Sequence, residues 1–325
     1  MGTPNQGPGT AERERDTEAR EIENGPGSAA PPNVNRTLGR PTITRRGFLG
    51  AAAAGVAAAA IPKTAHSLVS HPWSPALAPQ PVGLQLYTLR DLMQKDVQLT
   101  LRQVAAVGYR EVEFAGLFNK DPKTVAKWLA ADKLKSPSSH IPLDRLKKDV
   151  QGAVDEAKTL GNDYIVCPWI DAAMRKSADD WRRIGADLNH IGETVQRAGL
   201  RFAYHNHDFE FEKLSTGEMG YDILLKDCDP KLVKMEMDLY WITKGGQDPL
   251  AYFAKWPGRF PLVHVKDMGG KGDIVNVGQG HIDWPHIFSK RREAGIEHFI
   301  VERDNPTSPL EDIKTSYTYM AKLGL

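Results

Sequence analysis

From Val82 onward, short apolar runs alternate with longer stretches whose apolar residues recur every three or four positions. The short runs are VGLQLYT, REVEFAG, SPSSHIP, DYIVCPW, RFAYHNH, VKMEMDLYW, PLVHVKD and HFIVERD. Each is bounded by turn residues and is too short for a stable helix, so the pattern predicts eight strands. Between them, VQLTLRQVAAVG, DPKTVAKWLAADK, LDRLKKDVQGAVDEAKTLG and ADDWRRIGADLNHIGETVQRAG carry helical spacing. Gly108, Gly161, Gly199 and Gly295 each follow a predicted helix and precede a predicted strand, where a left-handed cap is wanted. Eight such units over residues 82–325 predict a single α/β domain, a (β/α)8 TIM barrel. A doubly wound open sheet is the alternative, but no glycine-rich phosphate turn follows the first strand.

Before Val82 the pattern is lost. Residues 1–41 are rich in Gly, Pro, Asn and charge and nearly devoid of large apolar side chains, so they are expected to be disordered. Residues 42–62, TITRRGFLGAAAAGVAAAAIP, set Arg45 and Arg46 ahead of a Phe-Leu step and an Ala-rich run too weakly hydrophobic for a secure membrane span. They read as a twin-arginine export signal, against the alternative of a buried Ala-rich helix. That predicts a periplasmic or secreted protein with no stable membrane insertion after cleavage. Residues 63–81 are the expected linker with the cleavage region, and no cysteine follows the apolar run to carry a lipid.

Charge narrows the partners. The chain has a formal net charge of +1, from 42 Lys+Arg and 41 Asp+Glu; residues 1–81 hold 8 and 6 of these, so the barrel is near neutral. No electrostatic footprint for nucleic acid results. Cys167 and Cys228 lack the paired spacing of a zinc site or a disulfide framework and read as ordinary barrel residues.

In a barrel of this class the chemistry lies at the C-terminal ends of the strands. There the sequence places Gln85 and Tyr87, Glu113, His140, Trp169, His205 and His207, Glu236 and Asp238, His264 and Lys266, and Glu302 and Asp304. Residues two apart share a strand face, and His205 with His207, Glu236 with Asp238, and His264 with Lys266 are three pairs aimed at one axis. So many ionisable groups in a core layer are costly without a shared partner, and a divalent cation is the simplest one.

The stretches MEMDLYW, PLVHVKDM, VGQGHIDW and FIVERD, following GLRFAYHNHDFEF, resemble the xylose isomerase-like family of sugar phosphate isomerases and epimerases. That family also contains inosose dehydratases and 3-keto-glycoside processing enzymes, and the similarity spans nearly all of residues 82–325. The resemblance implies a metal-dependent isomerase, epimerase or lyase acting on a sugar-like substrate through an enediolate. It implies one divalent ion, Mn2+ first, with Co2+, Zn2+ or Mg2+ as alternatives, held by Glu, Asp, His and Glu from strands five to eight. Carried over, Asp238, His264 and Glu302 match strands six to eight. Strand five departs: His205 stands where the family has Glu. The expected fourth ligand is therefore Glu210 in the following loop, with His205 or His207 as alternatives and Glu212 as a weaker one.

His207, His205, Glu113, His140 and Lys266 are the candidate catalytic or substrate-holding groups. Each has a plain structural reading as well: a packed core histidine, a buried ion pair, or for Lys266 a partnership with Asp267. Trp169, Trp241 and Phe114 are candidates for stacking on a sugar face, with core packing as the default, and Glu236 for orienting a histidine. A histidine at the strand-five tip favours an asymmetric acid/base pair, hence elimination or hydration of a keto-sugar or 3-keto-glycoside. Two rivals remain: an exported carbohydrate-binding barrel without turnover, and an abasic-site endonuclease of the same fold, which neutrality and the export signal disfavour. The expected partner is a small-molecule sugar or keto-glycoside. A homo-oligomer is compatible with the sequence but not specified by it.

Overall fold

The computed structural model describes residues 81–324; the expected segments 1–41 and 42–62 and residues 63–80 of the linker lie outside the described residues. All eight predicted strands form: β1 (Val82–Gln85), β2 (Glu111–Phe114), β3 (Lys135–His140), β4 (Tyr164–Cys167), β5 (Arg201–His205), β6 (Val233–Asp238), β7 (Leu262–Val265) and β8 (His298–Val301). They pair in parallel into a closed barrel that runs in sequence order and is shut by β1 on β8, with Leu84 opposite Val301. The register sets His205 beside Glu236 and Asp238 beside His264. Closure leaves no unpaired sheet edge.

The four predicted helices also form, as Val97–Val107, Pro122–Ala131, Leu143–Leu160 and Ala178–Arg197. The last is fixed at its start by reciprocal bonds between Ser177 and Asp180, and it buries Trp181, Ile184, Leu188, Ile191 and Val195 against the sheet. Gly192 lets it lie close to the chain leading into β6, where an added Cβ would stand 2.7 Å from the Leu232 carbonyl oxygen. Gly161 and Gly295 end helices in the left-handed conformation, as the sequence predicts.

Most apolar burial lies between helices and strands, while Tyr164, Val166, Ala203, Leu262 and Ile300 form a separate small cluster. By strand alternation these five face the barrel axis, and the next inward positions after Ala203, Leu262 and Ile300 are His205, His264 and Glu302. Their apolar layer forms a floor beneath the polar cluster. No helix among the described residues is long and apolar enough to cross a membrane.

A two-stranded antiparallel ribbon, Asp267–Met268 with Ile274–Val275, follows β7. The strand pattern gives no sign of it. Asp267 fastens the loop beyond: its carboxylate accepts from the backbone N–H groups of Met268, Gly278, Gly280 and Ile282 and from the Trp284 indole, at 2.8 to 3.3 Å. These donors replace the expected pairing of Asp267 with Lys266.

Candidate active site

The strand ends converge as the alternation requires. Glu113 Oε1 accepts from Gln85 Nε2 at 2.8 Å and lies 2.7 Å from His264 Nε2 and 3.0 Å from His140 Nε2. Glu236 Oε2 lies 2.7 Å from His140 Nε2, 2.9 Å from His205 Nδ1 and 3.3 Å from His264 Nε2. The opposite nitrogens of two of these rings face other carboxylates. His264 Nδ1 lies 2.7 Å from Glu302 Oε2 and 3.9 Å from Asp238 Oδ2, and His205 Nε2 is also 3.9 Å from Asp238 Oδ2. Glu113, Glu236, Asp238 and His264 are fully buried.

Asp238 is held with care. Its Oδ1 accepts from the N–H groups of Tyr240 and Trp241, both at 2.9 Å, capping the short helix Leu239–Lys244. Its own backbone is clamped by the buried Asn206 amide, which accepts from Asp238 N and donates to Asp238 O. Oδ2 is left buried with no hydrogen bond, turned toward the two histidines. An oxygen so placed has a use only if something cationic meets it. Lys266 Nζ does so at 3.1 Å, while also reaching Glu302 Oε2 at 3.0 Å and Asp304 Oδ1 at 2.8 Å.

Two groups of donor atoms are close enough to share a metal ion, His140 with His205, Glu236 and His264, and Asp238 with His264 and Glu302; within each, the atoms lie within 4.8 Å of one another. A hard or borderline divalent ion suits such mixed nitrogen and carboxylate donors.

Protonation follows from the neighbours. Burial disfavours charge on His140, but Glu113 and Glu236 outweigh it and raise the ring to about 9. His264 behaves alike: burial is overcome by Glu236, Glu302 and Glu113, holding the ring charged well above the ordinary histidine range. For His205 and His207 burial prevails, and both are pushed well below that range. His205 is thus neutral, with its Nδ1–H given to Glu236 and a lone pair on Nε2.

Of the residues singled out in the sequence, the structure gathers Glu113, His140, His205, Asp238, His264, Lys266 and Glu302. It does not gather Glu210. That carboxyl is buried below the loop, Oε1 accepting from the Tyr204 hydroxyl at 2.6 Å and Oε2 from the His207 backbone N–H at 2.8 Å, and burial raises it to about 8. The expectation of a loop carboxylate ligand gives way to Glu210 as an anchor of the loop. His207 stands at the mouth, its ring 5.0 Å from that of His205 and its Nδ1 without a hydrogen bond among the described residues. Trp169 and Trp241 flank it at ring distances of 4.8 and 5.5 Å, half-buried, whereas Phe114 is wholly in the core. Sequence reasoning passed over Asn206; its only signal is its place between two site histidines.

With this geometry in view, the comparisons with known proteins are decisive for family. The model of the xylose isomerase-like TIM barrel matches residues 101–323. The chain belongs to that family. Among curated relatives, the inosose dehydratase of Lacticaseibacillus casei is 24% identical over 266 residues, covering 68% of this chain and 86% of that protein. That of Clostridium botulinum strain Alaska E43 is 22% identical over 277 residues, covering 71% and 91%. Among solved structures, a sugar phosphate isomerase/epimerase from Parabacteroides distasonis superposes with a TM-score of 0.68 at 26% identity, covering 78% of this chain and 98% of the other.

Proposed function

We infer that this barrel is a divalent-metal-dependent enzyme that removes a proton beside the carbonyl of a small polyhydroxylated ketone, and that its reaction is loss of water from a keto-sugar or keto-cyclitol. The pairing inside the cluster carries this reading. His205 gives Nδ1 to Glu236 and His264 gives Nε2 to Glu113, so that His205 Nε2 and His264 Nδ1 face Asp238 Oδ2, which Lys266 Nζ also meets at 3.1 Å. Histidine ligands are commonly oriented by a carboxylate on the other ring nitrogen. On this reading Asp238, His264, Glu302 and His205 hold the cation, and His205 takes the strand-five place. A cation there would polarise adjacent carbonyl and hydroxyl oxygens and acidify the C–H between them.

The chain's own groups do the rest. His207, neutral and with Nδ1 free of protein partners, accepts the proton. His140, whose side chain is 11% exposed and is kept charged by Glu113 and Glu236, donates one to the departing hydroxyl. One C–H and one C–O bond break and water leaves. Elimination needs a neutral base at the C–H and a charged acid at the leaving hydroxyl, which His207 and His140 supply. Trp169 and Trp241 offer apolar faces to a ring. The relatives named inosose dehydratase support the same reaction class.

The test is an inosose incubated with Mn2+-loaded protein in deuterated water. Water loss is expected, and His207→Asn should keep the metal while losing C–H exchange. Exchange without water loss would move the reading to isomerisation, as in the Parabacteroides neighbour; bound metal with no exchange of any keto-sugar tested would leave a binding barrel.

A further inference from the structure

Lys266 stands where its charge competes with that of the ion. The residue is 2% exposed and follows His264 by two on the same strand face, so ammonium and imidazole enter the cluster side by side. Its Nζ touches Asp238 Oδ2, Glu302 Oε2 and Asp304 Oδ1 at 3.1, 3.0 and 2.8 Å. The first two are the atoms that face His264 Nδ1 and, on the reading above, hold the cation. Asp304 differs: its side chain is 20% exposed, and no histidine lies within ion-pair distance of it among the described residues. A flexible four-carbon stem lets an ammonium exchange one carboxylate for another without moving the backbone.

We propose that Lys266 is a resident cation of this site, neutralising Asp238 and Glu302 when no divalent ion is present and withdrawing onto Asp304 when one arrives, so that it sets how tightly the ion is held. The inference rests on the metal reading given above. Its physical basis is that like charges a few ångströms apart inside a protein repel strongly, and every ion bound must overcome the ammonium already there. The cost has a counterpart: without Lys266 the cation-free protein would leave Asp304 without its 2.8 Å partner and Asp238 and Glu302 to share the charge of His264.

The experiment is titration of chelator-treated full-length protein with Mn2+ by calorimetry, with thermal midpoints recorded before and after saturation. Lys266→Met should bind Mn2+ about tenfold more tightly or better. Its cation-free midpoint should fall, and its gain on Mn2+ addition should exceed the wild-type gain. Lys266→Arg, which keeps the charge, should not tighten binding. Lys266→Gln, whose amide still donates to the carboxylates, takes the place of the Met variant if that one does not fold. Equal or weaker Mn2+ binding by the uncharged variants overturns the proposal while leaving the ligand set standing. Absence of stoichiometric Mn2+ from the wild type overturns the ligand set itself, and this inference with it.

Discussion

Glu113 and Glu210 are both buried carboxyl groups near one histidine cluster, and the structure gives them opposite tasks. Glu113 meets the outer nitrogen of His264, so Glu113→Gln should leave the ring less well aimed and less basic and weaken divalent-ion binding by about 10- to 100-fold. Equilibrium dialysis against Mn2+ reads this directly. Glu210 spends both oxygens on Tyr204 and on the His207 backbone, so Glu210→Gln should bind the ion as the wild type does. It loses one acceptor and should cost about 1–2 kcal/mol, seen as a thermal midpoint lower by roughly 2–4 °C for a domain of this size. Loss of the ion from Glu210→Gln would return that carboxylate to the ligand set. The two residues could not be separated from sequence. Both are acidic and near a strand end, and only the closed barrel shows that one faces a ring nitrogen and the other a hydroxyl.

At the scale of elements, the strand ends were legible because alternation is a local property: His205 and Glu236, Asp238 and His264 had to point inward once their strands were placed. What alternation cannot show is which inward atom meets which, since that depends on register between strands far apart in the chain. Hence Glu236 was foreseen as a support for a histidine, but its reach to both His140 and His205 was not. The ribbon after β7 was invisible for a different reason. Two residues per strand are too few to show a period, and its loop is organised by one carboxylate. Asp267→Ala should leave five donors without their acceptor and lower stability by about 2–4 kcal/mol while metal content stays unchanged. Chemical denaturation alongside metal analysis checks both halves, and a loss of metal would tie the loop to the site.

The whole molecule has a pH response that the cluster dictates. In the cation-free protein His140 is raised to about 9, so the stability it contributes is full below its unfolded value of about 6.5 and is lost as pH rises through about 9. Glu210, raised to about 8, acts in the same direction: the unfolded chain sheds that proton at lower pH, so folding is progressively penalised up to about 8. Chelator-treated protein should therefore melt at falling temperature from pH 6.5 to 9, and a flat or rising profile would contradict these assignments. Export belongs to this scale too, as a proposal on residues outside the structure. Changing Arg45 and Arg46 together to Lys should abolish transport and leave the purified barrel's melting unchanged; normal transport would remove the twin-arginine reading. Barrel closure by β1 on β8 has a last consequence. The proposed ligands His205, Asp238, His264 and Glu302 come from β5 to β8, but Glu113, which meets His264 Nε2, comes from β2 and reaches that ring only across the closed barrel. Tight metal uptake would then act as a tally of barrels whose β2 has joined the ligand-bearing half, and refolding followed by uptake of limiting Mn2+ should lag refolding followed by helical circular dichroism.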